Sequence, residues 1–134
     1  MFLVLSKKNA IAHKVSSRLK LYKSDVDKFN LGKYDLIVSN PPYINQFDLK
    51  NLDRDVVDFE PVLALDGGLD GLLKIKKVIE KSSKLLKKNG KLVIEIAYDQ
   101  KRKVCKMLTL SNFYVNRVVR DYAKKDRCIV STKI

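Results

Sequence analysis

The stretch Tyr34-Asp35-Leu36-Ile37-Val38-Ser39-Asn40-Pro41-Pro42-Tyr43 restricts the fold more than any other part of the chain. A run of β-formers stops abruptly at a polar residue, two prolines and an aromatic, which predicts a buried strand ending in a rigid loop. Neither proline donates a backbone hydrogen bond, and each fixes φ near −65°. The carbonyls of Asn40 and Pro41 are therefore held in place as acceptors beside an aromatic ring. In open α/β sheets ligands lie just beyond the carboxyl ends of strands, where this cluster falls.

The remaining pattern supplies elements to surround that strand. Residues 1 to about 14 read as a helix with Phe2, Leu5 and Ala12 on an apolar side. Arg18 to Tyr22 alternates like a short strand, and Ser24-Asp25-Val26-Asp27 reads as a turn. Leu72 to Lys88 is the clearest helix: Leu72, Ile75, Val78, Ile79, Ser82, Leu85 and Leu86 form one stripe, and Asn89-Gly90 suits a left-handed cap. Asp70 is a candidate N-cap for it. Lys91 to Ile96 reads as a second buried strand in which the Glu95 carboxylate needs a partner or an open strand end. Asp99 to Leu110 follows as a helix with Val104, Met107 and Leu108 inward, stopped at Ser111-Asn112. Phe113 to Arg120 and Arg127 to Thr132 are then strands six residues apart, too close for a helical crossover and hence antiparallel. Strand, helix, strand, helix and a terminal hairpin predict an α/β fold, with a mostly parallel sheet and an antiparallel edge. The long stretch Ile44 to Gly71 exceeds ordinary loop lengths and reads as functional.

A formal charge of +13 suits a chain that meets RNA, a ribosomal particle or an acidic protein, but the lysines are scattered along helical faces without interleaved aromatics. A solvated basic surface explains them, and a nucleic-acid partner is not favoured. No run approaches the roughly 18 apolar residues that span a bilayer, and Met1-Phe2-Leu3-Val4-Leu5 precedes its lysines instead of following them, so neither a membrane anchor nor a signal peptide is expected and the cytoplasm is the default. Cys105 and Cys128 have no metal spacing and read as buried reduced thiols; His13, alone, reads as a surface residue. No metal site is expected.

The acceptor cluster fits a planar, uncharged NH2 group. An amide nitrogen is a poor nucleophile because its lone pair is delocalised. With one N–H accepted by the Asn40 side-chain oxygen and the other by the Pro41 carbonyl, the nitrogen is aimed at an electrophile, and positioning carries the rate. Tyr43 would cover the flat face.

Asn40-Pro41-Pro42-Tyr43 together with Glu60-Pro61, the stretch Ala64 to Leu72, the strand through Glu95, Asp99-Gln100 and Asp126-Arg127 resembles the HemK/PrmC family of release-factor glutamine methyltransferases, over essentially the whole chain. The resemblance implies a Rossmann-like S-adenosylmethionine-dependent fold, with residues 1–134 as the C-terminal portion of the catalytic domain. It also implies methyl transfer to the glutamine amide in the Gly-Gly-Gln motif of peptide-chain release factors. By motif, Asn40, Pro41, Pro42 and Tyr43 would hold the amide, Asn40 would also lie near the methionine end of the cofactor, and Asp25 and Val26 would border its adenine. Amino methyltransferases acting on adenine or guanine share versions of the tetrad, so a nucleic-acid substrate and a non-catalytic basic binding remnant are the competing expectations.

The family's glycine-rich loop and the acidic residue that binds the ribose hydroxyls have no counterpart here, because residues 1–10 resemble a helix that follows both. The two strands that carry them belong between the Arg18 strand and the Tyr34 strand. The expectation is a truncated or split enzyme with a bare edge on its Tyr34 strand, completed by a separate chain or by a rearranged sheet, and inactive alone.

Overall fold

The computed structural model describes residues 2–42 and 71–134. The order is helix α1 (Phe2–Ala12), a single 3-10 turn at Ser16–Arg18, strand β1 (Tyr34–Ser39), helix α2 (Leu73–Leu85), strand β2 (Leu86–Glu95), helix α3 (Lys101–Leu110) and strands β3 (Phe113–Arg120) and β4 (Asp126–Lys133). One four-stranded sheet runs β1-β2-β4-β3. β1 pairs parallel to β2, whereas β4 is antiparallel to both β2 and β3. Among the described strands the antiparallel pairings therefore outnumber the parallel one.

Paired residues on neighbouring strands share a face, so the register assigns the two sides of the sheet. Ile37 pairs with Leu92, and Ile94 with Ile129, on the side covered by the helices. There the stripe of α2 (Ile75, Val78, Ile79) and the inner face of α3 (Val104, Leu108) form one core with Leu92, Ile94, Ile96, Phe113 and Ile129. Seven of these ten side chains show no exposure at all, which marks this face as the main source of hydrophobic stabilisation. Val38, Val93 and Val130 line up across the opposite face, and none is fully buried.

Helix α2 ends three residues before the expected Lys88. Leu86 is already extended, with φ −76° and ψ 141°, while its N–H still reaches the Ser82 carbonyl. The reason is tertiary: Leu86 pairs with Tyr34, and the next pair is Leu36 with Lys91, so two steps along β1 match five along β2. Asn89 is left-handed as its pairing with Gly90 predicted (φ 66°), but it bends this irregular strand start and caps no helix. A Cβ at Gly90 would lie 2.9 Å from the Lys87 carbonyl oxygen and 3.2 Å from that of Tyr34, so the close approach requires glycine.

Three further expectations are corrected. Leu19 is extended, yet residues 19–25 join no strand, because among the described residues no partner lies in pairing distance of the alternating Arg18–Tyr22 segment. The sheet thus does not close the gap directly. In α1, Leu5 is 59% exposed and Ala12 is exposed, while Ala10 is buried, so two of the three residues expected on its apolar side face solvent. Leu72, not Asp70, occupies the N-cap of α2, without a side-chain cap; Asp70 and most of the Ile44–Gly71 stretch lie outside the described residues.

The terminal hairpin matches its prediction closely. Asp121 closes the turn: its N–H donates to the Lys125 carbonyl at 2.9 Å, its carboxylate accepts from the Lys125 N–H at 3.0 Å, and Arg127 reaches its other oxygen at 3.1 Å. The Lys125 N–H, assisted by Arg127, holds the Asp121 carboxyl below the usual carboxylate range.

Candidate functional site

The parallel pairing sets the carboxyl ends of β1 and β2 side by side. Their last pair is Ser39 with Ile94, and Asn40 and Glu95 follow at the next position of the register. Asn40 is exposed, Pro41 is buried and Pro42 half-buried, so the first proline anchors the chain while the amide-bearing side chain stands at the surface. Tyr43 lies outside the described residues. Glu95 is half-buried opposite Cys128, which agrees with the expected open strand end.

Asp25 and Val26 precede the acceptor cluster by about 15 residues. Val26 is half-buried against the core cluster and lines, with Ser39, a cleft of about 1140 Å³ between β1 and residues 17–32. Asp25 is exposed, and its carbonyl accepts the N–H groups of Lys28 and Phe29 at 3.1 Å each, forming the expected turn.

Two devices that fix this turn escaped the sequence. From α2, the Lys81 ammonium donates to the Asp27 carbonyl at 2.9 Å and to the Asn30 side-chain oxygen at 2.7 Å, and Lys77 pairs with the Asp27 carboxylate at 3.2 Å. The Lys77 ammonium holds the Asp27 carboxyl below its ordinary range, with help from backbone hydrogen bonding. An i, i+4 lysine pair reads as a solvated face; only the contact across some 50 residues of sequence shows the clamp. Tyr22 and Phe29 add an edge-to-face contact with centroids 5.5 Å apart.

Gln100, quoted above only within the pair Asp99-Gln100, has a structural role that the sequence did not show. Buried at the start of α3, it accepts the Ala97 N–H at 3.0 Å and donates to the Gly71 carbonyl at 3.2 Å, which ties the turn beyond β2 to the entry of α2. Its signal was its place between a strand end and a helix.

Cys105 and Cys128 are half-buried, not fully buried, and burial pushes both thiols up, so neither is a ready nucleophile at neutral pH. His13 lies exposed, as expected. No cluster of metal-ligating side chains occurs among the described residues, and no helix there is long and apolar enough to cross a membrane.

Four bacterial release factor glutamine methyltransferases match the chain at 33 to 42% identity. That of Clostridium botulinum is 38% identical over 131 residues, 96% of this chain and 46% of its own length. The chain is thus similar to release factor glutamine methyltransferases. It corresponds to the C-terminal part of these relatives and spans less than half their length. No protein-family model matches it. Among solved structures, a ribosomal protein L11 methylase from Lactobacillus delbrueckii subsp. bulgaricus superposes with TM-score 0.66 at 17% identity, over 98% of this chain and 53% of that one. An S-adenosylmethionine-dependent methyltransferase from Clostridium acetobutylicum gives 0.62 at 11%, over 98% and 70%. The fold is accordingly a partial Rossmann-like methyltransferase fold with a C-terminal antiparallel hairpin.

Proposed function

We propose that the chain is the C-terminal portion of the catalytic domain of an S-adenosylmethionine-dependent methyltransferase, acting in the cytoplasm on the side-chain amide of the glutamine in the Gly-Gly-Gln motif of peptide-chain release factors. The observation that carries this reading is the position of Asn40 and Pro41 immediately beyond the carboxyl end of β1, where an open α/β sheet receives its ligands.

The residues present fit part of the cofactor. Val26 gives the cleft an apolar edge beside the polar atoms of Ser24 and Ser39, but among the described residues lining the cleft there is no carboxylate to hold a ribose diol. Asp25 and Val26 would border the adenine, and Asn40 the methionine end. When bound, the cofactor supplies an electrophilic methyl group on a sulfonium.

The chain's own residues act on the acceptor. The Asn40 side-chain oxygen would take one amide N–H and the Pro41 carbonyl the other, so the amide could not rotate and its nitrogen would be held in one orientation. Pro42 and the buried Pro41 would hold that geometry, and Tyr43 would cover the amide plane. A nitrogen that took this methyl group would return to a neutral amide by giving up one proton to solvent.

Labelled S-adenosylmethionine should be incubated with a release factor or with RNA and DNA, using the 134-residue chain alone and with the preceding portion of the Clostridium botulinum relative added in trans. Label on the Gly-Gly-Gln glutamine, absent when that glutamine is replaced by glutamate, supports the reading. Label on nucleic acid instead would assign the same acceptor cluster to an exocyclic base amine, a reaction that the +13 charge would help.

A further inference from the structure

The turn between β3 and β4 stands at the carboxyl end of β2: Cys128 pairs with Glu95, and the Ile96 N–H donates to the Arg127 carbonyl at 2.9 Å. Helix α3 begins at the same end, and the Lys101 ammonium, 3.5 Å from the Asp126 carboxylate, joins the two. In sequence the basic residues lack interleaved aromatics, but folding supplies them here. The Lys125 ammonium lies 4.9 Å from the centroid of the Tyr98 ring, and Tyr122, three residues before Lys125, is fully exposed. Residues 98–106 and 120–127 hold eight basic and three acidic side chains. Two of the acids are occupied, Asp121 by Arg127 and Asp126 by Arg120 and Lys101. Arg102, Lys103 and Lys124 are exposed and form no ion pair among the described residues.

Three features of this rim act against stability. Lys124 is left-handed at φ 61°, a conformation that a hairpin turn of this length ordinarily gives to glycine. Lys101, Arg102 and Lys103 fill the first turn of α3 with no acidic residue among them, at the end where the helix dipole repels cations. The Tyr122 ring gains nothing from burial. A merely solvated face needs none of these, and backbone strain retained at one place points to a ligand.

We propose that this rim binds single-stranded nucleic acid, with bases stacked on Tyr98 and Tyr122 and phosphates held by Arg102, Lys103, Lys124 and Lys125. Stacking needs exposed rings and phosphate needs unpaired cations, and the rim offers both together. An acidic polypeptide would use the cations but would leave the Tyr122 ring without a role. The site lies on the hairpin turn and the start of α3, apart from Asn40 to Pro42, and rests on neither methyl transfer nor the acceptor cluster.

The probes are fluorescein-labelled oligouridine of roughly 12 nucleotides and its deoxyribose counterpart, titrated with the full 134-residue chain. Fluorescence anisotropy should show saturable binding to at least one of them, and the tighter names RNA or DNA as the source. Tyr122→Ala should weaken binding about fivefold or more, the loss of one stacked base. Lys124→Gly should weaken it too and lower the slope of log affinity against log salt by about 0.7, one phosphate contact. Its melting temperature should rise, because glycine relieves the left-handed turn, so unfolding cannot explain the lost affinity. Lys88→Ala, at an exposed lysine near the amino end of β2, should change affinity by less than about twofold. In the wild-type chain a thiouridine probe should photocross-link to Tyr98 or Tyr122, a readout that stands even if a variant does not fold. No saturable binding to either probe at roughly 50 mM salt, equal losses from Lys88→Ala and Lys124→Gly, or cross-links confined to residues outside the rim would overturn the proposal. So would polyglutamate that displaces the probe at equal concentration while Tyr122→Ala binds as the wild type does, which would assign the rim to an acidic polypeptide. Methylation is not read, so this site and the acceptor chemistry stand or fail separately.

Discussion

The two ends of the sheet are built to different standards. At the β2-β4-β3 end, two amphipathic helices close one face, Leu92, Ile94 and Ile129 have no exposure, and the hairpin turn is fixed by Asp121, Lys125 and Arg127. At the β1 end, Leu36, Val38, Leu19 and Tyr22 are each at least 43% exposed, and α1 exposes Val4, Leu5 and Ile11. Burial is what repays the conformational entropy of folding, so the first end stabilises itself while the second depends on what it meets. The candidate acceptor residues sit at the junction, on the last residues that the self-sufficient end can hold in place.

Function gives the steepest test of that division. Asn40→Ala should lower methyl transfer by about 10²-fold or more in a complemented enzyme, since misplacing a reacting group costs that much. Its melting temperature should not move, because Asn40 is exposed. Stability comes next: Ile94→Ala should cost about 2–5 kcal/mol in urea unfolding, whereas Leu36→Ala in the isolated chain should stay within about 0.5 kcal/mol. Equal costs would erase the distinction between the two ends. Gly90→Ala should destabilise by about 1–3 kcal/mol, as the new methyl meets backbone oxygens that cannot withdraw.

The smallest effects refine the boundary. Lys81→Ala removes the clamp on the Asp25–Asn30 turn and should weaken S-adenosylmethionine binding several-fold in the complemented enzyme by calorimetry, with release-factor affinity unchanged. Acid titration probes the opposite end. The folded Asp121 carboxyl is depressed, so its contribution is fully present above the unfolded value of about 3.9 and is lost as pH falls through the lower folded value. Asp121→Asn should flatten the acid limb of the stability curve measured by thermal melts between pH 5 and 2.

Legibility followed the same division. The stripe of α2, the inward face of α3 and the hairpin were readable because their partners repeat at short, regular spacing. The end of α2 was not: Lys87 and Lys88 are good helix formers, and only the pairing of Leu86 with Tyr34, 52 residues away, overrides them. Arg18–Tyr22 shows strand alternation, but alternation does not supply a partner. Asn40 to Pro42 could be located because proline punctuates the chain locally. The roles of Lys77, Lys81 and Gln100 were not legible, since each acts through a contact made only after folding.

The irregular start of β2 also governs where the chain tolerates a change of length. Leu85 and Leu86 are both buried, so helix and strand are joined without slack, and a residue inserted between them would turn the α2 stripe away from Leu92 and Ile94. Lys87, Lys88 and Asn89 are exposed, and the ladder resumes at Lys91. A short insertion after Lys88 should be absorbed there, since lengthening a flexible loop costs little, which makes this three-residue arc a suitable place for a reporter that leaves the acceptor cluster where it is.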